Sequence, residues 1–216
     1  MRHEPSAQVL AALEHRMLAC VDDFIPQNLS NTVWAWATMR HEPSAAALAA
    51  LERRMLAYVD DFIPQHLANT VWAWATMRHE PSAQVLAALE HRMLAHVDDF
   101  NPQALANTVW AVAMLTNNIE GDKITIGQNV LDRLLHQLEH AAQSSTLDEQ
   151  DFQQILQAHH LLGDRFKPPV ALLDQAREAW AKSLNSSSSR SSLKMDGGAA
   201  RGGAVRAHHP QSAGIH

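Results

Sequence analysis

The sequence contains a single cysteine and no long apolar run, and each absence excludes a class of protein. Cys20 alone cannot form a disulfide within the chain, so the fold does not require an oxidising compartment. No apolar stretch approaches the ~20 residues of a membrane-spanning helix, and no membrane partner is expected. Hydrophobic residues make up 46% of the 216 residues, which is enough to bury a hydrophobic core.

Basic residues are scarce in the part of the chain that is expected to fold. Residues 1–114 carry 7 basic and 12 acidic side chains, and residues 115–185 carry 6 and 10, for a net charge of −9 together. Residues 186–216 carry 4 basic side chains and 1 acidic one. An acidic domain is poorly suited to a broad phosphate-binding surface.

The chain shows no targeting segment, because it opens directly in repeated sequence. Three tandem units of 38 residues follow one another: 1–38, 39–76 and 77–114. Unit 1 differs from unit 2 at six positions, and from unit 3 also at six. A fixed period of this length is typical of stacked helical repeats. Met1 aligns with the methionines that begin the other two units, which leaves open a start farther upstream and a missing targeting segment.

Each unit is predicted to form two helices. The first is expected to start at Pro5, and its apolar side chains recur at helical spacing: Leu10, Leu13, Met17 and Val21. The second is expected to start at Pro26 and to end near residue 38. In unit 3 the residue before the second proline is Asn101, a favoured N-cap.

Two tryptophans, Trp34 and Trp36, lie two residues apart in the second helix. Trp36 falls in an apolar stripe with Leu29 and Val33, whereas Trp34 lies well round from the centre of that stripe. We interpret one tryptophan as packing within the unit and the other between units, because one pair cannot bury two apolar sides alone. The alternative is a stacking platform for a nucleobase.

The sequence after residue 114 contains a diverged fourth unit. The segment "DEQDFQQILQAHHLL" from Asp148 aligns with "NPQALANTVWAVAML" from Asn101, and a helix is expected over 128–143. An insertion lies near "TNNIEGDKITI", and a last helix after Pro169 is expected to cap the stack. The predicted fold class is all-α: a right-handed α-solenoid of about four helical pairs over 1–114 and 115–184, with a capping helix and a disordered tail over 185–216.

The segments "PQNLSNTVWAWAT", "PQHLANTVWAWAT" and "PQALANTVWAVAM" resemble the octotricopeptide repeat family of organellar RNA-binding proteins. The resemblance covers roughly residues 1–184. It implies sequence-selective binding of single-stranded RNA that affects transcript stability, processing or translation. It also implies location in the chloroplast or, alternatively, the mitochondrion. Relatives often end in a RAP domain, which is absent here, so no activity of that domain is carried over.

Candidate RNA-binding residues lie on the second helix, opposite the buried stripe. One position varies between the three units: Asn28, His66 and Ala104. This variation would suit a modular code for reading bases or, alternatively, neutral change at a solvated site. Another is constant, either to contact a base or to form a hydrogen-bond ladder between units: Asn31, Asn69 and Asn107. Arg40 and Arg78 recur at one edge, where they would contact phosphates or, alternatively, only complement the helix macrodipole.

One short motif is similar to an enzyme site. "HQLEH", from His136 to His140, fits the pattern of inverted zinc peptidases with Glu139 as the general base. A third ligand is not identifiable and the segment fits a repeat helix. We therefore predict no enzyme, no catalytic residue, no metal, no cofactor and no small-molecule substrate. Two alternatives to RNA binding stay open: a scaffold for other proteins, and a truncated fragment without independent function.

Overall fold

The computed structural model describes residues 5–117 and 126–182, and every regular element within those ranges is helical. The predicted all-α class is therefore confirmed for this part of the chain. The core of the predicted insertion, residues 118–125, and the predicted tail from residue 185 lie outside the described residues. Within the described ranges, no helix is long and apolar enough to cross a membrane.

Each of the three 38-residue units forms a helix pair, as predicted. The first helices are α1 (Ala7–Cys20), α3 (Ala45–Ala57) and α5 (Ala83–His96). The second helices are α2 (Pro26–Met39), α4 (Pro64–Met77) and α6 (Pro102–Asn117). A short 3-10 turn lies between the two helices of each pair: Val21–Asp23, Val59–Asp61 and Val97–Asp99.

The diverged sequence after unit 3 forms a fourth pair, α7 (Gln128–Gln143) and α8 (Glu149–Leu162), followed by α9 over 170–182. Asp148 caps α8, since its Oδ1 accepts the Asp151 N–H at 2.9 Å. In return, the Asp151 carboxylate accepts the Asp148 N–H at 3.0 Å. This reciprocal contact satisfies two main-chain donors that the helix itself leaves unpaired.

The prediction that Pro5 occupies the first helical position is wrong. α1 begins one residue after Ser6, whose hydroxyl accepts the Val9 N–H at 3.3 Å. Ser44 caps α3 in the same way at 3.2 Å. A serine hydroxyl satisfies an unpaired helical N–H, which a proline cannot do. In unit 3, α5 begins at the equivalent Ala83 without a side-chain bond from Ser82, so the start after serine does not depend on that bond alone. Pro26, by contrast, does occupy the first position of α2.

The second helices form the closely packed layer of the molecule: α2 packs on α4, α4 on α6 and α6 on α8. Alanines permit this approach, because the distance between two helix axes depends on the side chains at their contact. Six alanines of α4 and α6 are at most 1% exposed: Ala68, Ala73, Ala75, Ala106, Ala111 and Ala113. The first helices contact one another less extensively.

A single hydrophobic core runs through all four pairs. The stripe predicted for α2 is buried, with Leu29 and Val33 at 0% and Trp36 at 5% exposure. Trp74, the counterpart of Trp36 in α4, is 1% exposed. The burial of one unit therefore depends on its neighbours, as in other stacked repeats.

A glutamate in each first helix holds the start of the following unit. Glu52 Oε1 lies 2.7 Å from Nε2 of His79, and Oε2 accepts the Ser82 N–H at 3.0 Å. Glu14 makes the same two contacts one unit earlier, and Glu90 accepts the N–H of the α7 N-cap at 2.8 Å one unit later. Three equivalent carboxylates thus connect the four pairs.

An arginine makes a second repeated contact between units. Arg54 Nε donates to the Phe24 carbonyl oxygen at 3.0 Å, and Arg92 Nε donates to the Phe62 carbonyl oxygen at 2.9 Å. Each bond joins a first helix to the turn inside the preceding unit. Because a charged donor strengthens the bond, these contacts also help to fix the orientation of one unit on the next.

Replacing Trp74 by alanine should lower the free energy of unfolding by about 3–5 kcal/mol, because the indole is fully buried in the core. The matched substitution Trp72→Ala should cost clearly less, since Trp72 is only half-buried. Urea denaturation followed by circular dichroism measures both values. Equal costs for the two variants would contradict the placement of the two tryptophans.

The Glu52 contacts should make stability sensitive to acid. Burial acts to raise the pKa of Glu52, but hydrogen bonds from His79 and Ser82 outweigh it, and the pKa lies below its usual 4.5. The unfolded chain therefore binds the proton first, and this stabilisation is present above pH 4.5 and lost as pH falls through the folded-state pKa. The difference in unfolding free energy between wild type and Glu52→Gln should shrink over that range. Glu80→Gln, at an exposed position, is the matched control.

Candidate nucleic-acid interface

Three tryptophans occupy the same position in successive second helices. Trp34 of α2 is 45% exposed, and Trp72 of α4 and Trp110 of α6 are half-buried. The rings of Trp72 and Trp110 lie with their centroids 6.5 Å apart at an interplanar angle of 36°. This pair spans units 2 and 3, as expected for the tryptophan that packs between units, and each ring still reaches the surface.

Gln157 takes the tryptophan position in the fourth pair. The Trp110 Nε1–H donates to Gln157 Oε1 at 2.7 Å. A groove of about 730 Å³ runs along this row, with Trp72 and Trp110 among its lining and with side chains from the start of α8 along one side: Asp148, Glu149, Gln150, Gln153 and Gln154. The groove combines two half-buried indole rings with amide groups, and its lining includes two carboxylates and no lysine or arginine.

The two candidate phosphate ligands lie in one neighbouring groove. Arg40 and Arg78 both line a space of about 500 Å³ at the ends of α2 and α4. Thr76 lines this space and also the tryptophan groove. The structure therefore brings the recurring arginines together and places them beside the Trp72–Trp110 pair.

Each of these arginines also ends a helix. Arg40 and Arg78 have left-handed backbone conformations, with φ of 54° and 55°. The Arg78 N–H donates to the Ala75 carbonyl oxygen, and the following N–H, of His79, donates to that of Trp74 at 2.9 Å. This hydrogen-bond pattern satisfies the last carbonyls of the helix, and glycine is the residue that usually occupies the left-handed position. A positive side chain here also complements the negative end of the helix macrodipole.

The variable position of the second helix contacts the main chain at the start of that helix in two of the three units. Asn28 Oδ1 accepts the N–H of Ile25 at 3.2 Å, and His66 Nδ1 lies 3.5 Å from the N–H of Ile63. In both units the side chain reaches back to the residue that precedes the helix. The amide nitrogen of Asn28 and Nε2 of His66 are not used in this contact.

In unit 3 the start of the second helix is also capped, but the side chain that accepts the hydrogen bond comes from the residue before the helix. Ala104 is buried and has no polar side chain, but the residue before the helix is asparagine instead of isoleucine. Asn101 Oδ1 accepts the Ala104 N–H at 2.8 Å, as the sequence predicted. Two of the six differences between units 1 and 3, Ile25 to Asn101 and Asn28 to Ala104, are therefore coupled through the helix cap. This coupling gives the variation a cause independent of base recognition.

The constant asparagines have three different environments. Asn107 Oδ1 accepts from Gln154 Nε2 at 2.7 Å, which is the predicted contact between units, with Gln154 in the equivalent position of α8. Asn69 Oδ1 accepts from Gln65 Nε2 at 3.1 Å within its own helix. Asn31 is exposed on α2. Within the described residues, this asparagine position therefore makes a hydrogen bond between units only at the joint between α6 and α8, and the three units do not form a continuous ladder.

Two contributors to this surface were missed by sequence reasoning. Thr76 links the two grooves, and Gln157 hydrogen-bonds the last tryptophan of the row. The alignment of "DEQDFQQILQ" with "NPQALANTVW" pairs Gln157 with Trp110, so the signal for Gln157 was present in the sequence. Thr76 carries no such signal, because its position depends on how α4 ends beside α2.

The "HQLEH" motif lies on α7, with His136 and His140 both exposed to solvent. Across residues 5–117 and 126–182, no three side chains of histidine, cysteine, aspartate or glutamate are grouped closely enough to hold a metal ion. The motif therefore gains no third ligand from its surroundings within those ranges.

Comparison with known proteins identifies no family for this chain. The chain matches no protein-family model, and no curated protein matches it. The resemblance to octotricopeptide repeats therefore rests on the quoted segments and the 38-residue period alone.

Exchange of His66 for asparagine should keep the helix cap and remove one source of acid sensitivity. Burial lowers the pKa of His66 below its usual 6.5, so the unfolded chain takes up this proton first. Stability is then lost as pH falls below 6.5 toward the folded-state pKa. Asparagine makes the same contact in unit 1 without titrating. Urea midpoints at pH 7.5 and 5.5 should therefore differ less in His66→Asn than in wild type. His15→Asn, at an exposed position of α1, is the matched control.

Proposed function

We propose that this protein binds single-stranded RNA along the surface of its second helices and has no catalytic activity. The observation that supports this most is the Trp72–Trp110 pair, which lines a groove joined through Thr76 to the space between Arg40 and Arg78. Exposed indole faces suit unpaired bases, and arginines beside them suit the connecting phosphates.

The proposed architecture is a right-handed α-solenoid in which successive units offer side chains to successive nucleotides. In this arrangement Asn28 and His66 contact a base through the polar atoms that their helix caps do not use. Asn31 and Asn69 are the other candidate base contacts. Asn107 is a weaker candidate, because its oxygen already accepts from Gln154.

The magnitudes favour selective but weak binding. Stacking of one base on an aromatic side chain is worth about 1–3 kcal/mol, and four units offer few such sites. The net charge of −9 over residues 1–185 opposes approach of a polyanion. We therefore expect micromolar affinity or weaker and a shallow salt dependence, because few phosphates are neutralised.

The biological setting follows from the resemblance to octotricopeptide repeats. Occupation of a transcript in the chloroplast, or in the mitochondrion, would affect its stability, processing or translation. A second candidate is a scaffold for other proteins. That candidate is favoured by an apolar groove of about 520 Å³ between α8 and α9, lined by Leu156, Leu161 and Trp180 among others.

Paired substitutions at Trp72 test the stacking role. Trp72→Phe keeps an aromatic face, whereas Trp72→Leu keeps an apolar side chain without one. We expect Trp72→Leu to weaken binding to short single-stranded RNAs by roughly 5- to 150-fold, the equivalent of one stacked base, and Trp72→Phe to lose much less. Fluorescence anisotropy at fixed salt measures both. Equal affinities for the two variants would remove the stacking role.

Arg78→Gly separates phosphate contact from folding. An L side chain in the left-handed conformation costs about 1–2 kcal/mol, which glycine avoids, so the variant should fold with equal or higher stability. If Arg78 contacts a phosphate, binding should weaken evenly across RNA sequences and the salt slope should fall by about one. A stable variant with unchanged affinity would exclude Arg78 from the interface. If no RNA in a diverse array binds wild type, the scaffold candidate takes first place.

A further inference from the structure

The α8 side of the tryptophan groove carries a stripe of glutamines. Four of them recur at the spacing i, i+3, i+4 and i+7, lie along one face of α8 and line the groove: Gln150, Gln153, Gln154 and Gln157. The positions in α6 that align with the second and the last of these are Ala106 and Trp110. Unit 4 therefore presents amides to the groove where unit 3 presents apolar side chains.

Two of these amides are held in a fixed orientation by their partners. Gln157 Oε1 accepts the Trp110 Nε1–H at 2.7 Å, and an indole N–H can only donate, so Gln157 Nε2 remains as a donor. Gln154 Nε2 donates to Asn107 Oδ1 at 2.7 Å, so Gln154 Oε1 remains as an acceptor. The stripe thus offers one oriented donor and one oriented acceptor, about one helical turn apart.

The remaining acceptor of Gln154 is unsatisfied. Gln154 is 8% exposed, and among the described residues its Oε1 has no hydrogen-bond partner. A buried acceptor without a partner costs free energy, because it has lost its hydrogen bond to water. This oxygen is covered, so a donor reaches it from the groove only when the side chains over it shift. A contact of that kind would restore the missing hydrogen bond.

Charge divides this surface into two parts. The second helices pack in the order α2, α4, α6 and α8. Arg40 and Arg78 end the first two, whereas Asp148 and Glu149 lie at the start of the last and line the tryptophan groove. A phosphate is attracted to the arginines and repelled by the carboxylates. A nucleotide stacked beside the tryptophans would therefore turn its phosphate toward α2 and α4 and the edge of its base toward α8.

We propose that the α8 side of this groove selects an RNA base that carries an exocyclic amino group, with the base stacked beside Trp110. The inference rests on the proposed RNA binding and adds to it the orientation of one nucleotide and the residues that choose its base. Glu149 and Gln154 accept from the base, and Gln157 donates to it. All of these groups belong to the inner surface formed by α4, α6 and α8, between the flanking elements of the stack.

The chemistry of the four bases decides the selection. Cytosine, adenine and guanine each carry an amino group, which supplies two N–H donors to a surface rich in acceptors. Uracil has a single N–H between two carbonyl oxygens, and those oxygens would face the carboxylates of Asp148 and Glu149. Gln157 Nε2 can donate to a ring nitrogen or carbonyl oxygen of any base, so it adds affinity without favouring uracil. The amide of Gln150 can turn to suit either kind of group.

The test compares bases that differ in the amino group but have rings of the same size. Short single-stranded RNAs carry cytosine or uracil, or guanine or hypoxanthine, at one position at a time, and fluorescence anisotropy at fixed salt measures their affinity for the full chain. At one position we expect the member with the amino group to bind at least about fivefold more tightly, the equivalent of one net hydrogen bond. Binding that depends on Trp72 but ignores the amino group at every position would overturn this inference and leave the proposed function standing. Absence of binding to every RNA would overturn both.

Matched substitutions assign the preference to α8. Glu149→Gln keeps the size of an exposed side chain and removes a charged acceptor from the groove, so the preference at that position should fall by at least about threefold. Glu178→Gln makes the same charge change at an exposed position of α9 outside the groove lining, and should keep the preference. An unchanged preference in Glu149→Gln would overturn the assignment to α8. An equal fall in both variants would attribute the preference to overall charge and overturn it as well.

Discussion

The contact between one helix pair and the next is the interaction on which the rest of this structure depends. A pair of helices of 13 to 16 residues has apolar side chains on two sides and cannot bury both by itself. The comparison within the chain makes the point directly, since Leu51, which follows unit 1, is 1% exposed and its counterpart Leu13 in unit 1 is 57% exposed. The burial of each helix pair therefore depends on the pairs next to it.

The same joints place the candidate binding groups. Trp72 and Trp110 meet because α4 and α6 pack closely through buried alanines. Arg40 and Arg78 share a groove because both end second helices of adjacent pairs. Several of these residues also make contacts within the fold, since the main-chain N–H of Arg78 closes the end of α4 and His66 contacts the start of the same helix. Binding and folding are then difficult to separate by alanine substitution, and conservative pairs of variants are more informative.

Sequence reasoning succeeded where the cause was local. The proline starts of the second helices, the Asn101 cap and the limits of α7 depend on a few adjacent residues, and the structure confirms them. The predicted start at Pro5 was wrong, because in all three units the first helix begins two residues after the proline, with a serine at the N-cap. The sequence did not indicate a partner for His79, whose side chain contacts Glu52 of the preceding unit, 27 positions earlier. No local pattern indicates such a partner.

The sequence by itself determined the 38-residue period, the helix pairs and the identity of the buried stripe, because periodicity and capping are properties of short segments. Only the tertiary structure decided which exposed residues lie together. It placed Thr76 between two grooves and paired Asn107 with Gln154. These outcomes depend on the distance and angle between successive helix pairs, which arise from packing over the whole stack and are not encoded in any one unit.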